Sequence, residues 1–379
     1  MITREYQESI ISDITGFADN KIRPFASAFE EKEEVPRALI NEMASRGYLA
    51  ASIPRQYGGL ELDPVYYGLF TEQVGKACCS TRGLVTVHTS LVGETILRWG
   101  TAGQKDKWLP AMASGEKIAA FALSEPTVGT DGKSVKTHYS KSKNGFVING
   151  CKKWITFGDV ADVFIVIATN GEQISAFLVE RSFPGVSTKP LKGMLASRAS
   201  HIAEIEFKDV EVPFENLIVT EGGGFTYVVN TALDHGRYSI AWAGVGIAQE
   251  ALDAMVTYAR KREQFGKKLY NYQLIQGMIG DATTKIHAAR ALCLNAGEKR
   301  KAGHDDAIIE TNIAKYFSSK IAMEIAIDAV QVHGANGCSN EYPVERLFRE
   351  AKVLEIIEGT SQVQQEIISK YALKRYYKA

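Results

Sequence analysis

The sequence predicts an α+β chain built in three successive parts: helical, all-β, and helical again. Three observations carry this reading. Up to about residue 116, apolar residues recur at three- and four-residue spacing, as in Leu39, Ile40 and Met43. From Ala119 onward the pattern changes to short β-rich runs separated by turn signals. From Gly224 to the end helical spacing returns, so the order is not the strand–helix alternation of a doubly wound nucleotide fold.

Taken in order, Glu5–Asn20 and Pro36–Arg46 are predicted helices, and Tyr57-Gly58-Gly59 breaks the pattern. Asp63-Pro64 supplies an N-cap followed by proline at the first helical position. A long apolar helix is expected from Ser80 to Trp99, ended by Gly100. In the central part, Phe146-Val147-Ile148 lies between Asn144-Gly145 and Asn149-Gly150, both hairpin-type dipeptides. Val163–Thr169, Ser175–Glu180 and Ala203–Val212 are further predicted strands, which suits a small barrel or sandwich. Gly222-Gly223-Gly224 reads as a flexible connector. Helices are then expected over Thr226–Lys261, Gln273–Ala302 and Asp305–Gly334, with a last one after Ser361.

Composition narrows the function. In 379 residues, 44 Lys and Arg balance 44 Asp and Glu, so the chain has no electrostatic footprint for nucleic acid or an anionic membrane. No stretch approaches the ~20 apolar residues of a spanning helix. Met1-Ile2-Thr3-Arg4-Glu5 runs into polar residues rather than an apolar signal core. Five cysteines, an odd number without a CxxC pair, predict reduced thiols in a reducing, cytoplasmic setting and no metal site. No GxGxxG follows a strand and no GxxxxGK[ST] is present, which argues against nicotinamide and nucleoside triphosphate sites.

Four places could carry chemistry. The loop Phe121–Asp131 presents the hydroxyls of Ser124, Thr127 and Thr130, which suit a polar ligand with an aromatic edge or equally an internally bonded turn. Trp154 and Thr156 share one side of a predicted strand, pointing at a common space or into the core. Arg260, Arg262, Gln264 and Phe265 end one long helix and Gln273 opens the next, where cations also suit the helix dipole. Glu358, flanked by Ile356 and Ile357, breaks a helical pattern. A carboxyl in apolar surroundings has its pKa raised toward that of a general base, whereas a solvated loop glutamate does not. The seven histidines show no metal-type spacing.

Together, and in this order, Phe121–Asp131, Lys153–Thr156, Tyr258–Gln273, Gln331–Arg349 and Glu358–Gln362 resemble the acyl-CoA dehydrogenase family over nearly the whole chain. The resemblance implies an N-terminal helical domain (1–117), a central β-barrel (118–224) and a C-terminal four-helix bundle (225–379). It also implies a homodimer or homotetramer with one FAD per subunit. Phe121, Leu123, Ser124, Thr130, Trp154, Ile155 and Thr156 would border the flavin. Arg262, Gln264, Phe265, Gln273, Gln331, Gly334 and Ala335 would reach the FAD of a neighbouring subunit. Thr360 and Gln362 would contact FAD beside the base, while Thr130, Asp234, Arg237 and Gly359 would line the thioester's path. Glu358 matches the family's base, which takes the α-proton while hydride passes from Cβ to flavin N5. Some members carry the base on the segment matching Leu233–Arg237, where this chain has Gly236.

Val87–Leu91 is similar to short-chain members that act on CoA thioesters. Leu233–Trp242 and Lys352–Gly359 instead resemble members acting on acyl groups tethered to carrier proteins in polyketide or peptide biosynthesis. CoA and carrier protein are therefore both open, as are an electron-transferring flavoprotein and dioxygen as acceptor. The oxidase form of the same fold is the alternative function.

Overall fold

The computed structural model describes residues 2–377. The N-terminal part holds α1 (Arg4–Phe17), α2 (Ala26–Lys32), α3 (Arg37–Ser45), α4 (Pro64–Ala77), α5 (Cys79–Leu84), α6 (Glu94–Trp99) and α7 (Ala102–Ala113). The expected cap of α4 forms: Asp63 Oδ1 accepts from the amides of Val65 and Tyr66 at 3.0 and 3.1 Å. The single helix expected from Ser80 to Trp99 is divided. Between α5 and α6 lies a nine-residue π-helical stretch, Val85–Gly93, all of it buried. Apolar periodicity alone does not separate π from α winding, and such widened stretches cluster at functional sites.

The central part contributes β1 (Ala119–Ala122), β2 (His138–Lys141), β3 (Gly145–Ile155), β4 (Val163–Thr169), β5 (Ile174–Glu180), β6 (Val186–Pro190), β7 (Ala203–Pro213) and β8 (Leu217–Ile218). The strands pair in the order β6-β7-β3-β2-β4-β5-β8, with β1 joined to β4 in parallel. β6 and β8 do not pair with each other, so the sheet is open and the expected barrel is not closed. β8 has only two residues and cannot supply the ladder that closure requires.

Two local readings are also corrected. Asn149-Gly150 is not a turn. β3 runs through it, with a register shift against β7 between Ile148 and Gly150, and the Asn149 side chain bonds Asp209. Asn144-Gly145 does end a turn, closed by Ser142 N donating to Gly145 O at 2.9 Å. The triple glycine is tightly packed rather than a loose connector. A Cβ on Gly224 would stand 2.5 Å from the carbonyl carbon of Ser175, and the Gly222 amide donates to Ser175 Oγ at 3.0 Å.

The C-terminal part comprises α8 (Asn230–Lys261), a small hairpin of β9 (Glu263–Gln264) and β10 (Lys267–Lys268), then α9 (Gln273–Lys301), α10 (Ala307–His333), α11 (Val344–Leu354) and α12 (Ser361–Arg375). The three long helices α8, α9 and α10 pack on one another, α12 lies on α10, and α11 crosses α8 and α10. Glycines allow the closest approaches: a Cβ on Gly244 would lie 2.7 Å from the Ser318 carbonyl carbon, and one on Gly68 would lie 2.1 Å from Trp242 Nε1. All five cysteines are free. Among the described residues no helix is long and apolar enough to cross a membrane.

The Gly68–Trp242 contact sets how closely α4 meets α8. Gly68→Ala should destabilise the protein by about 1–3 kcal/mol through overpacking, read as a lowered Tm in thermal unfolding. Gly103→Ala, in α7 with no heavy atom within 4 Å, should leave Tm unchanged or raise it.

Candidate active site

The site is built around Glu358, in the turn between α11 and α12. Its backbone is left-handed at φ +54°, and Gly359 follows at +91°. A non-glycine residue in this region is strained and must be held by its surroundings. Three helices do so through two consecutive carbonyls. Arg237 Nε, from α8, donates to Glu358 O at 3.0 Å. Lys315 Nζ, from α10, donates to Gly359 O at 2.8 Å. Gln364 Nε2, from α12, reaches both at 3.4 and 3.3 Å. Thr360 caps α12 by accepting from the Val363 amide at 3.3 Å, while Gln362 is exposed beside it.

The carboxyl itself is left without partners. Glu358 Oε2 is shielded from solvent and makes no hydrogen bond. Burial pushes its pKa up to about 7, against the pull of Arg237, Lys315 and Arg82. Gly236 provides the room: a Cβ there would meet Glu358 Oε2 at 2.5 Å and Leu91 Cδ1 at 2.9 Å. A larger residue at 236 would thus displace this carboxyl. Asp234, the other acid on this segment, is gripped by Arg300 through two bonds of 2.9 and 2.8 Å. Burial alone would raise its pKa, but Arg300 holds it below the ordinary value, the wrong direction for a base near neutrality.

The Phe121–Asp131 loop follows β1. Its scaffold is a buried ion pair: Lys152 Nζ, fully buried on β3, donates to Glu125 Oε1 at 2.8 Å and to Leu123 O at 3.0 Å. Glu125 also accepts from the amides of Lys136 and Thr137 at 2.7 and 2.9 Å. Burial lowers the Lys152 pKa to about 8 even beside this carboxylate. Among the described residues the hydroxyls of Ser124, Thr127 and Thr130 take no part in that scaffold. Phe121 is buried, Leu123 and Ser124 are half-buried, and Thr130 is exposed.

At the end of β3 a second register shift falls between Lys152 and Ile155. Trp154 adopts φ +65° and is 50% exposed, Ile155 is buried, and Thr156 is half-buried with its methyl facing Gly83 of α5. The positive φ at Trp154 kinks the backbone and breaks the regular strand that period 2 assumes: the indole is exposed while the Thr156 methyl faces α5.

Arg262, Gln264, Phe265 and Gln273 gather at the far end of α8, and Gln331, Gly334 and Ala335 at the end of α10. All seven are exposed, Phe265 by 97% at φ +49°. The two helix ends are joined by a Tyr258–His333 ring stack at 4.1 Å and by Asn336 Nδ2 donating to Tyr258 Oη at 2.9 Å. Along α8, Gly236 and Lys261 are separated by about 38 Å at 1.5 Å per residue. Glu358, Gly359 and Arg237 are thus set at one end of α8, and Arg262, Gln264 and Phe265 beyond the other.

Three sequence families match in chain order. "Acyl-CoA dehydrogenase, N-terminal domain" covers residues 4–116, the middle domain residues 120–210, and the C-terminal domain residues 222–373. The chain belongs to the acyl-CoA dehydrogenase family. It is 38% identical over 373 residues to the short-chain specific acyl-CoA dehydrogenase of Clostridium acetobutylicum, covering 97% of this chain and 98% of that one. Butyryl-CoA dehydrogenase from Megasphaera elsdenii superposes with a TM-score of 0.94 at 33% identity, over 98% and 99% of the two chains. The prolyl acyl carrier protein oxidase AnaB gives 0.91 at 26% identity, over 98% and 99%. Acyl-CoA dehydrogenases are FAD-dependent oxidoreductases acting on CH–CH bonds, and a further solved neighbour is in complex with FADH2.

Several residues that support Glu358 or the Phe121–Asp131 loop in this acyl-CoA dehydrogenase family member were not singled out from sequence: Arg82, Lys315, Gln364 and the Glu125–Lys152 pair. A lysine inside the otherwise apolar stretch around Ala314 and Tyr316 was the one available signal. Lys315→Met should move the Glu358 pKa further above about 7, because burial remains while a stabilising cation goes. Difference infrared titration of the carboxyl band, blanked with Glu358→Gln, checks this. An unchanged midpoint would mean that Lys315 acts only through the Gly359 carbonyl.

Proposed function

We propose that the chain dehydrogenates a short acyl thioester between Cα and Cβ, with Glu358 as the base and FAD as the hydride acceptor. The observation that carries this is the buried, unpartnered Glu358 carboxyl with its pKa near 7. Such a carboxylate takes a weakly acidic α-proton efficiently at neutral pH. The Glu358 backbone amide serves the charge that develops on the thioester oxygen.

The residues present fit FAD. A half-exposed indole at Trp154, the uncommitted hydroxyls of the Phe121–Asp131 loop and the orphaned Glu358 oxygen are what a planar, amphipathic ring system would cover. Trp154, Ile155, Thr156, Phe121, Leu123, Ser124 and Thr130 would hold the ring, with Thr360 and Gln362 beside the base. Bound there, FAD supplies a two-electron acceptor for the β-hydride.

Arg262, Gln264, Phe265, Gln273, Gln331, Gly334 and Ala335 lie too far along the bundle to serve that same cofactor. In this reading they hold the FAD of a second copy of the chain, as a homodimer or homotetramer. Arg237 and Gly359 border the thioester, and Asp234 holds Arg300 behind them. The carrier is CoA or an acyl carrier protein, and the likeness to AnaB supports the second. An electron-transferring flavoprotein then takes the electrons, in a reducing, cytoplasmic setting.

Purified protein should be yellow and bleach anaerobically with a short acyl thioester. Glu358→Gln should retain FAD but slow bleaching by ~10²–10⁴. Glu355→Gln should not, because Glu355 is tied to Lys352 at 2.7 Å. The reverse result would displace Glu358 as base. Because the base works only when ionised, the bleaching rate should rise with pH through about 7 and then level off.

A further inference from the structure

A cavity of about 500 Å³ lies between α2, Arg198 of the loop before β7, the segment 338–340 and the first turns of α11. The Glu358 turn follows the other end of α11, so this cavity is separate from the site above. Its charged lining is balanced: Glu30, Glu31 and Glu345 face Arg198, Arg346 and Arg349. Some of these groups satisfy one another. Arg349 donates to Glu345 at 2.8 and 3.1 Å and to Leu195 O at 2.8 Å, and Glu31 accepts from Asn340 Nδ2 at 3.1 Å.

Three groups are left open. Glu30 is 3% exposed, and its Oε1 accepts from Ser80 Oγ at 2.6 Å. Its Oε2 makes no hydrogen bond and meets only Arg349 Nη1, at 3.6 Å. Arg346 is 5% exposed. Its Nη1 donates to Glu350 Oε1 at 3.4 Å, while Nε has no partner. Burial pushes the Glu350 pKa up to about 7, so near neutrality Arg346 is only partly neutralised by the one acid it touches. Arg198 donates through Nε to Met194 O at 2.8 Å, and among the described residues no carboxylate lies within 4.0 Å of its guanidinium. A buried donor or acceptor without a partner is costly. Here one acidic oxygen and one guanidinium N–H are both orphaned on residues of the same cavity wall. An anion alone would be repelled by the acids and a cation alone by the arginines. The wall suits a neutral molecule that carries both charges.

We propose that this cavity is a second ligand site, which takes a free α-amino acid with its carboxylate against Arg198 and Arg346 and its ammonium on Glu30. A carboxylate supplies acceptors for the open guanidinium N–H groups, and an ammonium supplies donors for Glu30 Oε2. The volume is that of a small-molecule pocket and leaves room for a side chain beside Ser27, Cys338 and Ser339. The bound molecule ties α2 to the start of α11.

The test is isothermal titration calorimetry of the purified holoenzyme with the proteinogenic L-amino acids, one at a time at millimolar concentration, with NaCl at matched ionic strength as control. At least one should bind once per chain and raise Tm. Its methyl ester and its N-acetyl derivative each lack one charge and should bind about ten- to a hundredfold more weakly, as expected for lost hydrogen bonds to charged groups. Arg198→Met should weaken the amino acid by the same factor, with FAD absorbance and the ligand-free Tm unchanged, and Arg198→Lys should recover part of the affinity. Heat from none of the amino acids would overturn the site and leave its open groups to water. Equal binding of the ester or the N-acetyl form, or full affinity in Arg198→Met, would overturn it as well. The comparison of ligand forms uses wild type alone, so it decides even where a variant folds poorly. No readout involves thioester turnover, so the outcome is independent of the dehydrogenase reading.

Discussion

The left-handed turn at Glu358 and Gly359 is the constraint around which this end of the molecule is arranged. A carboxylate on a strained backbone keeps its position only if its main chain is fixed from outside. Here that task falls to Arg237, Lys315 and Gln364 from three different helices. Each donates to a carbonyl, so none of them neutralises the carboxyl by a direct bond. Backbone anchoring and side-chain reactivity are thereby separated. The cations hold the turn and temper the effect of burial, while the carboxyl oxygen stays unbonded. The glycine at 236 is the complementary condition on the facing helix, since even a methyl group there would occupy the carboxyl's place.

Much of this was legible in the sequence, and the failures have physical causes. Glu358 stood out because apolar neighbours and a broken helical pattern predict a desolvated carboxyl. The shared side expected for Trp154 and Thr156 rests on strand periodicity, which the positive φ at Trp154 interrupts. Asn149-Gly150 looked like a turn because the dipeptide favours one. What decides the outcome is β7, which pairs on both sides of it and leaves only a bulge. The expected barrel stays open because strand spacing does not reveal that the last strand is two residues long. Lys315, Arg82 and Gln364 were invisible as site residues. Spacing gives a helix face, but not which carbonyl or hydroxyl a buried polar group will meet.

The loop that borders the proposed flavin position obeys a different economy. Its shape is set by Glu125 and Lys152, both out of water, which tie the Leu123 carbonyl and the amides of Lys136 and Thr137, just ahead of β2, into one buried cluster. With the backbone secured internally, the surface hydroxyls of Ser124, Thr127 and Thr130 carry no structural duty. A ligand can then engage them without competing against the fold.

His88 ties this loop to the helical part. Its Nδ1 accepts from the Ala119 amide at 3.1 Å and its Nε2 faces Met112 O at the same distance, so the ring must be neutral with its proton on Nε2. Burial depresses its pKa to about 4, and protonation would turn the accepting nitrogen into a second donor aimed at an N–H. Stability from this ring is therefore complete above the ordinary histidine value and drains away as pH falls toward 4. Mild acid would loosen the first strand of the sheet from α7 and the π-helical stretch, and with it the start of the loop beyond Phe121.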